Sequence, residues 1–421
     1  MTDFTNLHDI EAFFAAIPYK KKDFSPFEML TKALNLLGNP QDNLQYIQVT
    51  GTNGKGSTST YLSHFLHHSG LNVGLFTSPH LFMITERIKV NNHAIPVAAF
   101  ITHFNRIYNI IADTCNLIQF EWLYLIALDY FNSQNLDIVI LEVGIGGKYD
   151  STSTIPHKLA AVMTNIAHDH RTLLGNSLEA ITEQKSAIIT DQTKFAFIGN
   201  ITDDNLLTII DEQLIDTQTP GYFLFHDFWF DIDQCSFSIL GTNITIKNNT
   251  LPPYQYENIA LALAVANKVL THFNTHLNYE TARRTIETLQ MPIRFEVMTY
   301  NEQTYIFDGA HNIAGLNTML EALAKHFPNN TYTFIYAAMA DKEYQSMLDL
   351  LAHNGKVVLF DFHAIYHRAF TPHEDDTFPI IKSEDELKQF MQRERENIFI
   401  YAGSIYFVSY IRNLFKQNFL P

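Results

Sequence analysis

The sequence predicts an α/β protein, with a mostly parallel sheet flanked by helices in its N-terminal part and a second, smaller α/β domain after it. Three observations carry that prediction. Apolar runs without alternation are separated by amphipathic helical stretches; a glycine-rich loop joins a buried strand to a helix; and the same β/α pattern restarts near Met298. Strands that are apolar on both faces belong to sheets covered on both sides, the condition of a parallel sheet.

Taken in order, residues 44–49 form a short β-prone run, 57–69 a helix and 72–76 a second strand. Residues 122–131 read as a helix, 137–143 and 159–164 as buried strands, 165–169 as a further strand and 178–189 as a helix. Aromatic alternation over 222–230 and 236–246 predicts antiparallel hairpins, followed by one helix over 256–273. The second series has strands at 304–307, 331–336 and 356–360 and helices at 313–327 and 343–351. It has its own apolar faces and the size of an independent unit. The domains are therefore expected at 1–296 and 297–421, with no Ser/Gly linker between them.

Composition narrows the function. The 421 residues carry 28 Lys+Arg against 44 Asp+Glu, a formal charge of −16, which divides as −11 and −5 at residue 296. Neither part is a basic module, which excludes a general nucleic-acid or anionic-membrane binder. Cys115 and Cys235 lie too far apart for metal-ligand spacing and are too few for a disulfide framework, which fits a reducing cytoplasm. The start carries Asp3, Asp9 and Glu11 and lacks a basic n-region, so no signal peptide is expected; no apolar run is long enough to span a bilayer. The acidic runs 374–376 and 384–386 are expected on the surface.

The strongest local signal is Val49-Thr-Gly-Thr-Asn-Gly-Lys-Gly-Ser-Thr58, between a buried strand and a helix with the apolar stripe Tyr61, Leu62, Phe65 and Leu66. Three glycines let backbone N–H groups turn inward around phosphate oxygens, the helix N-terminus adds partial positive charge, and Lys55 adds a full one. The usual phosphate-loop pattern has Gly where this chain has Val49, and Ser or Thr where it has Gly56. The first domain is thus P-loop-type and the second Rossmann-like. Glu142 ends the 137–143 strand, beside that loop in a parallel sheet. In the 178–189 helix, Lys185 falls on the stripe Leu178, Ile181, Lys185, Ile188, where a lysine must snorkel, pair with a carboxylate or lose its charge.

Together with Thr77-Ser-Pro-His-Leu81, Glu86-Arg-Ile88, Glu142-Val-Gly-Ile-Gly-Gly147, Asp169-His170, Arg294-Phe295 and Asp308-Gly-Ala-His-Asn312, in that order, the loop resembles the folylpolyglutamate synthase and dihydrofolate synthase family. That family belongs to the Mur-ligase-like ATP-dependent amide ligases, and the resemblance runs from about residue 18 to Gly403-Ser404. It implies ATP and two Mg²⁺ ions as cofactors. Thr52, Asn53, Gly54, Lys55, Gly56, Ser57 and Thr58 would hold the nucleotide, with Asn258, Arg294 and Asp308 completing the site and Arg294 facing the phosphates. Ser78, Glu142 and His170 would bind metal, as would Lys185 in carbamylated form. The family usually has Glu before that lysine and Gly before that arginine; this chain has Gln184 and Ile293, the latter a departure of small consequence.

The resemblance further places the pterin-bearing substrate against Phe120, Glu121, Trp122 and His80, and the incoming L-glutamate against His311 and Ser404. Aromatic rings at 120 and 122 stack on a flat pterin or pack in a core equally well, and His311 and Ser404 equally suit capping or packing. Asp341-Lys342 matches a further motif without an assigned role. Lys55, Lys185 and His311 are the catalytic candidates. The implied reaction activates a folate or dihydropteroate carboxylate as an acyl phosphate, which glutamate attacks, releasing ADP and phosphate. The implied partners are small molecules, and the implied state is a monomer. A cell-wall Mur ligase is the nearest alternative, though only about 45 residues precede the phosphate strand, too few for the additional domain those chains usually carry. A small-molecule kinase would need no amino-acid site, and a non-catalytic nucleotide binder would not need Lys55, Glu142, His170 and Lys185 together.

Overall fold

The computed structural model describes residues 3–17, 27–247, 250–372, 377–394 and 398–418. The chain divides into two compact units, residues 1–249 with 255–288 and residues 250–254 with 289–421. The second unit therefore starts ahead of the boundary expected at 296, because the turn 293–295 is tied to it by the Phe295 N–H donating to the Asp308 carboxylate and by the Gly309 N–H donating to the Ile293 carbonyl.

The first unit is built on eight strands: β1 (Tyr46–Thr50), β2 (Val73–Phe76), β3 (Ile88–Val90), β4 (His93–Ala94), β5 (Ile138–Glu142), β6 (Lys158–Met163), β7 (Thr193–Ile198) and β8 (Gly221–Phe223). Their order is β4-β3-β2-β5-β1-β6-β7-β8, parallel except for the β3-β4 edge. β1, β5 and β6 are buried at every residue, which is why their sequences show no alternation. On one face, helices Val97–Ile111 and Gln119–Asn132 bury Phe100, Phe104, Trp122 and Leu125. On the other, Val143, Ala161, Met163 and Ile198 pack with Ile188 and Ile210. With β5 on one side of β1 and β6 on the other, the carboxyl ends of these three strands converge on the loop after β1, the ligand position of open α/β sheets.

Two expectations change here. Residues 221–223 join the main sheet, parallel to β7, and the antiparallel part is confined to β9 (Phe228–Asp231), β10 (Ser236–Ile239) and β11 (Thr242–Thr245). Residues 165–169 form a loop, because the Asn165 carbonyl and the Ala167 N–H are used by Thr52 instead of a strand neighbour.

The second unit carries β12 (Glu296–Tyr300), β13 (Gln303–Phe307), β14 (Tyr332–Tyr336), β15 (Lys356–Phe360), β16 (Ile380–Ile381) and β17 (Ile398–Ala402) in the order β12-β13-β17-β14-β15-β16. Only the β12-β13 hairpin is antiparallel. Helices Ile313–His326 and Tyr344–Asn354 bury Leu316, Leu323, Met347 and Leu351 against the sheet. Of the acidic runs, 374–376 lies outside the described residues, whereas Asp385 and Glu386 are exposed. Among the described residues, no helix is long and apolar enough to cross a membrane.

Candidate active site

The glycine-rich loop is held by the loop after β6. Thr52 N–H donates to Asn165 O at 2.9 Å, Asn53 N–H to Asn165 Oδ1 at 2.9 Å, and Thr164 Oγ1 to Asn53 O at 2.6 Å. Thr52 Oγ1 donates to Ala167 O. Gly51 and Gly54 have φ of 142° and 84°, and a Cβ would stand 1.8 Å from Thr164 Oγ1 at the first and 2.2 Å from Asn258 Oδ1 at the second. Both positions need glycine on two grounds, conformation and space. Helix Lys55–His68 starts from Gly54 without a side-chain cap, so its first N–H groups are turned toward the loop without a capping acceptor.

Lys55 Nζ donates to the carbonyls of Gly51 and Thr52 at 3.0 and 3.1 Å. Lys185 Nζ donates to the same Gly51 carbonyl at 2.7 Å. Lys185 is 4% exposed, and burial, then the charge of Lys55, hold its amine well below the usual lysine range against the pull of Asp169 and Asp150. Glu142, 3% exposed, lies over the helix start: a Cβ on Gly56 would be 3.5 Å from both carboxylate oxygens. Its Oε2 accepts the Ser78 N–H at 2.9 Å. His170 caps the short helix Arg171–Leu174 at φ 49°, with Nε2 3.8 Å from Asp169 Oδ2. Ser57 Oγ is buried with no hydrogen-bond partner.

The 77–87 loop is fastened by two side chains. Glu86 accepts the N–H groups of Leu81, Phe82 and Met83. Arg87, 4% exposed, donates its Nε to His80 Nδ1 at 2.9 Å. Because arginine only donates, the His80 proton sits on Nε2. Burial and the Arg87 charge push the His80 pKa down to about 3, so this imidazole is a neutral N–H donor at physiological pH.

The segment 120–122 divides. Phe120 is half-buried against Phe76 and Gly144. Trp122 belongs to the core: it is 2% exposed and packs on Phe13, Phe104 and Tyr108. Glu121, 1% exposed, accepts the Ile118 N–H at its own helix start. The helix phase turns both of these inward, so that of the three only Phe120 is partly exposed.

In the second unit, Asp308 and Ser404 follow the adjacent strands β13 and β17. Asp308 Oδ2 accepts Tyr254 O–H at 2.8 Å and Phe295 N–H at 2.9 Å, and Oδ1 accepts Ala310 N–H at 2.8 Å. Burial raises its pKa against the opposing effects of Arg294 and these bonds. A Cβ on Gly309 would meet Arg294 Nη1 at 2.5 Å, so the missing side chain makes room for the guanidinium. His311 Nδ1 is 2.9 Å from Gly309 O; a carbonyl only accepts, so the proton is on Nδ1 and Nε2 is the basic nitrogen. Ser404 is 1% exposed and its Oγ has no hydrogen-bond partner. Ile293 is more consequential than expected: it sits at φ 52°, where a β-branched residue costs about 1–2 kcal/mol. Its complete burial, worth about 1.5–3 kcal/mol, offsets that cost.

Sequence reading missed the residues that hold others in place. Thr164 and Asn165 shape the phosphate loop; Asp150 accepts the N–H groups of Gly144 and Ile145 and fixes the turn after β5; Tyr254 supports Asp308. For Thr164 and Asn165 the available signal was their position just past the carboxyl end of β6.

Comparison with known proteins follows the same two-part division. Residues 49–266 match the Mur ligase middle domain, and residues 293–393 the Mur ligase glutamate ligase domain. A folylpolyglutamate synthase of Lacticaseibacillus casei is 31% identical over 363 residues, 82% of this chain and 83% of that protein. A dihydrofolate synthase/folylpolyglutamate synthase of Bacillus subtilis is 28% identical over 418 residues, 90% of this chain and 92% of the relative. Among solved structures, an FPGS–AMPPCP–folate complex is similar with a TM-score of 0.84 at 26% identity, covering 97% of this chain and 99% of the other. Mycobacterium tuberculosis folylpolyglutamate synthase with ADP shares the fold, with a TM-score of 0.85 at 22% identity over 98% of this chain and 99% of the other.

Proposed function

The chain belongs to the folylpolyglutamate synthase and dihydrofolate synthase family of Mur-type ligases, and from that premise we propose how its residues join L-glutamate to a folate carboxylate at the expense of ATP. The observation that carries the reading is Lys55 at the mouth of a glycine-built loop, its amine held on the Gly51 and Thr52 carbonyls: a cation and the N–H groups of a helix start are concentrated where phosphate charge would develop. In an acidic chain, such a local reversal of sign is what an anionic substrate requires.

The γ-phosphoryl group passes from ATP to the folate carboxylate and ADP leaves. The glutamate amine, having lost a proton, then attacks the acyl carbon and phosphate leaves. Loop N–H groups and Lys55 orient the phosphates, with Thr58 and Asn258 at the helix side. Arg294 neutralises the transferred group, and Asp308 holds the arginine's turn. His80 offers its Nε2–H to the pterin-bearing substrate beside Phe120. His311, basic at Nε2, and Ser404 receive the incoming amino acid.

Mg²⁺ fits the residues present, since Glu142 offers hard oxygen donors over Gly56 and Ser57 brings an orphaned buried hydroxyl. Ser78, Glu142 and His170 would hold metal, and a carbamylated Lys185 would help to hold a second ion. Bound there, the metal would supply positive charge that offsets that of the transferred phosphoryl group. A lysine amine kept neutral by burial is the form that adds carbon dioxide, and a mass increment lost in K185A tests the modification; its absence from the intact protein rejects it. The unpaired Cys115 and Cys235 suit the cytoplasm, the compartment we assign.

The decisive assay supplies ATP, Mg²⁺ and glutamate, with tetrahydrofolate or dihydropteroate offered in parallel. ADP and phosphate should form in step with amide, and turnover should stop in excess chelator. AMP as product, or activity on neither acceptor, overturns the reading; which acceptors react decides between one activity and two.

A further inference from the structure

Arg294 stands between two non-glycine residues with left-handed backbones, Ile293 at φ 52° and Phe295 at φ 55°. Such a turn does not hold itself. One flank is restrained by Asp308, which accepts the Phe295 N–H. The other is restrained by Glu296, whose Oε2 accepts the Ile293 N–H at 3.0 Å. Glu296 in turn is gripped by a fork: Arg412 Nε lies 2.5 Å from Oε2 and Arg412 Nη2 lies 2.7 Å from Oε1. Arg412 is 5% exposed and Glu296 13%, so solvent screens the pair little, and its planar geometry resists rotation of the carboxylate.

We propose that Arg412, in helix Ile405–Asn418 and 116 residues from its partner, is a positioning residue for Arg294. It fixes the Glu296 carboxylate, the carboxylate fixes the Ile293 N–H, and the strained turn aims the guanidinium past Gly309. Without the fork, Oε2 is released to follow solvent or another donor, and Ile293 relaxes toward negative φ. That relaxation swings Arg294 away from its place. The proposal rests on the phosphate role of Arg294.

The test is a double-mutant cycle read as kcat and KM, with melting temperature recorded for every variant. R412M should lower kcat about tenfold to a hundredfold with a smaller change in the KM for ATP. R412K, which keeps charge but loses the fork, should fall between R412M and the unmodified enzyme. In an R294A background, R412M should cost kcat almost nothing further, because the group it positions is gone. Equal losses in both backgrounds, or R412M with unchanged kcat, overturn the tether. R294A with unchanged kcat overturns the phosphate role itself, so the two failures are distinguishable.

Discussion

The phosphate loop of the first unit and the arginine turn of the second both hold backbone in the left-handed region, by opposite means. Gly51 and Gly54 use residues for which positive φ is nearly free, and the space a Cβ would take is occupied by Thr164 and Asn258. Ile293 and Phe295 use side chains: both are buried, and two carboxylates hold their N–H groups. A glycine loop owes its shape to what is absent, so it is sensitive to addition. A tethered turn owes its shape to distant partners, so it is sensitive to removal.

The largest expected effect breaks the first half of that contrast. Gly51→Ala adds a Cβ that collides with Thr164 and strains the backbone; it should cost about 2–6 kcal/mol in urea unfolding. Gly70→Ala is the control, with φ 100° and nothing within 4 Å, and should cost only about 1–2 kcal/mol. Equal losses would mean that steric closure around Gly51 is unimportant.

A smaller effect probes the second half. At an ordinary buried site glycine is a worse replacement for isoleucine than alanine is. At Ile293 the order should invert, with I293A less stable than I293G by about 1–2 kcal/mol, since alanine loses most of the burial yet keeps the strain. The usual order would show that the turn carries no conformational cost.

The smallest effect concerns acid. Burial holds His64 down to about 4 and His80 to about 3, so the folded first unit accommodates their neutral forms. The unfolded chain takes up protons below about pH 6.5, whereas these two sites in the fold do so only near their lowered values. Their stabilising contribution is therefore full above that pH and lost as pH falls through the window toward 4 and 3. Protection factors of β5 amides against hydrogen exchange, corrected for the pH dependence of the intrinsic rate, should fall across this window, and H64Q should flatten the trend. An unchanged slope in H64Q removes His64 as its source.

What could be read from sequence follows from the same contrast. The phosphate loop was legible because glycine spacing, lysine and the strand-to-helix setting are all local. So were Glu142, at the end of an unbroken apolar strand, and Lys185, whose place on an apolar stripe announced its burial. The arginine turn was not legible, since its restraints come from Asp308, Glu296 and Arg412 and the isoleucine there resembles any core residue. Trp122 could be assigned to neither core nor ligand until Phe13 and Phe104 were seen to enclose it. The loop 165–169 looked like a strand because its polar duties toward Thr52 leave no trace in hydropathy.

Helix Ile405–Asn418 deserves a mechanical description. Its first turn receives Ser404, whose carbonyl accepts the Val408 N–H, and Arg412 lies eight residues further on, about 12 Å along a rigid rod. Just ahead of that rod stands the hydroxyl proposed to meet the amino acid, and midway along it Arg412 grips the carboxylate behind Arg294. A rigid rod joining the two would carry a displacement from one to the other without any change of secondary structure.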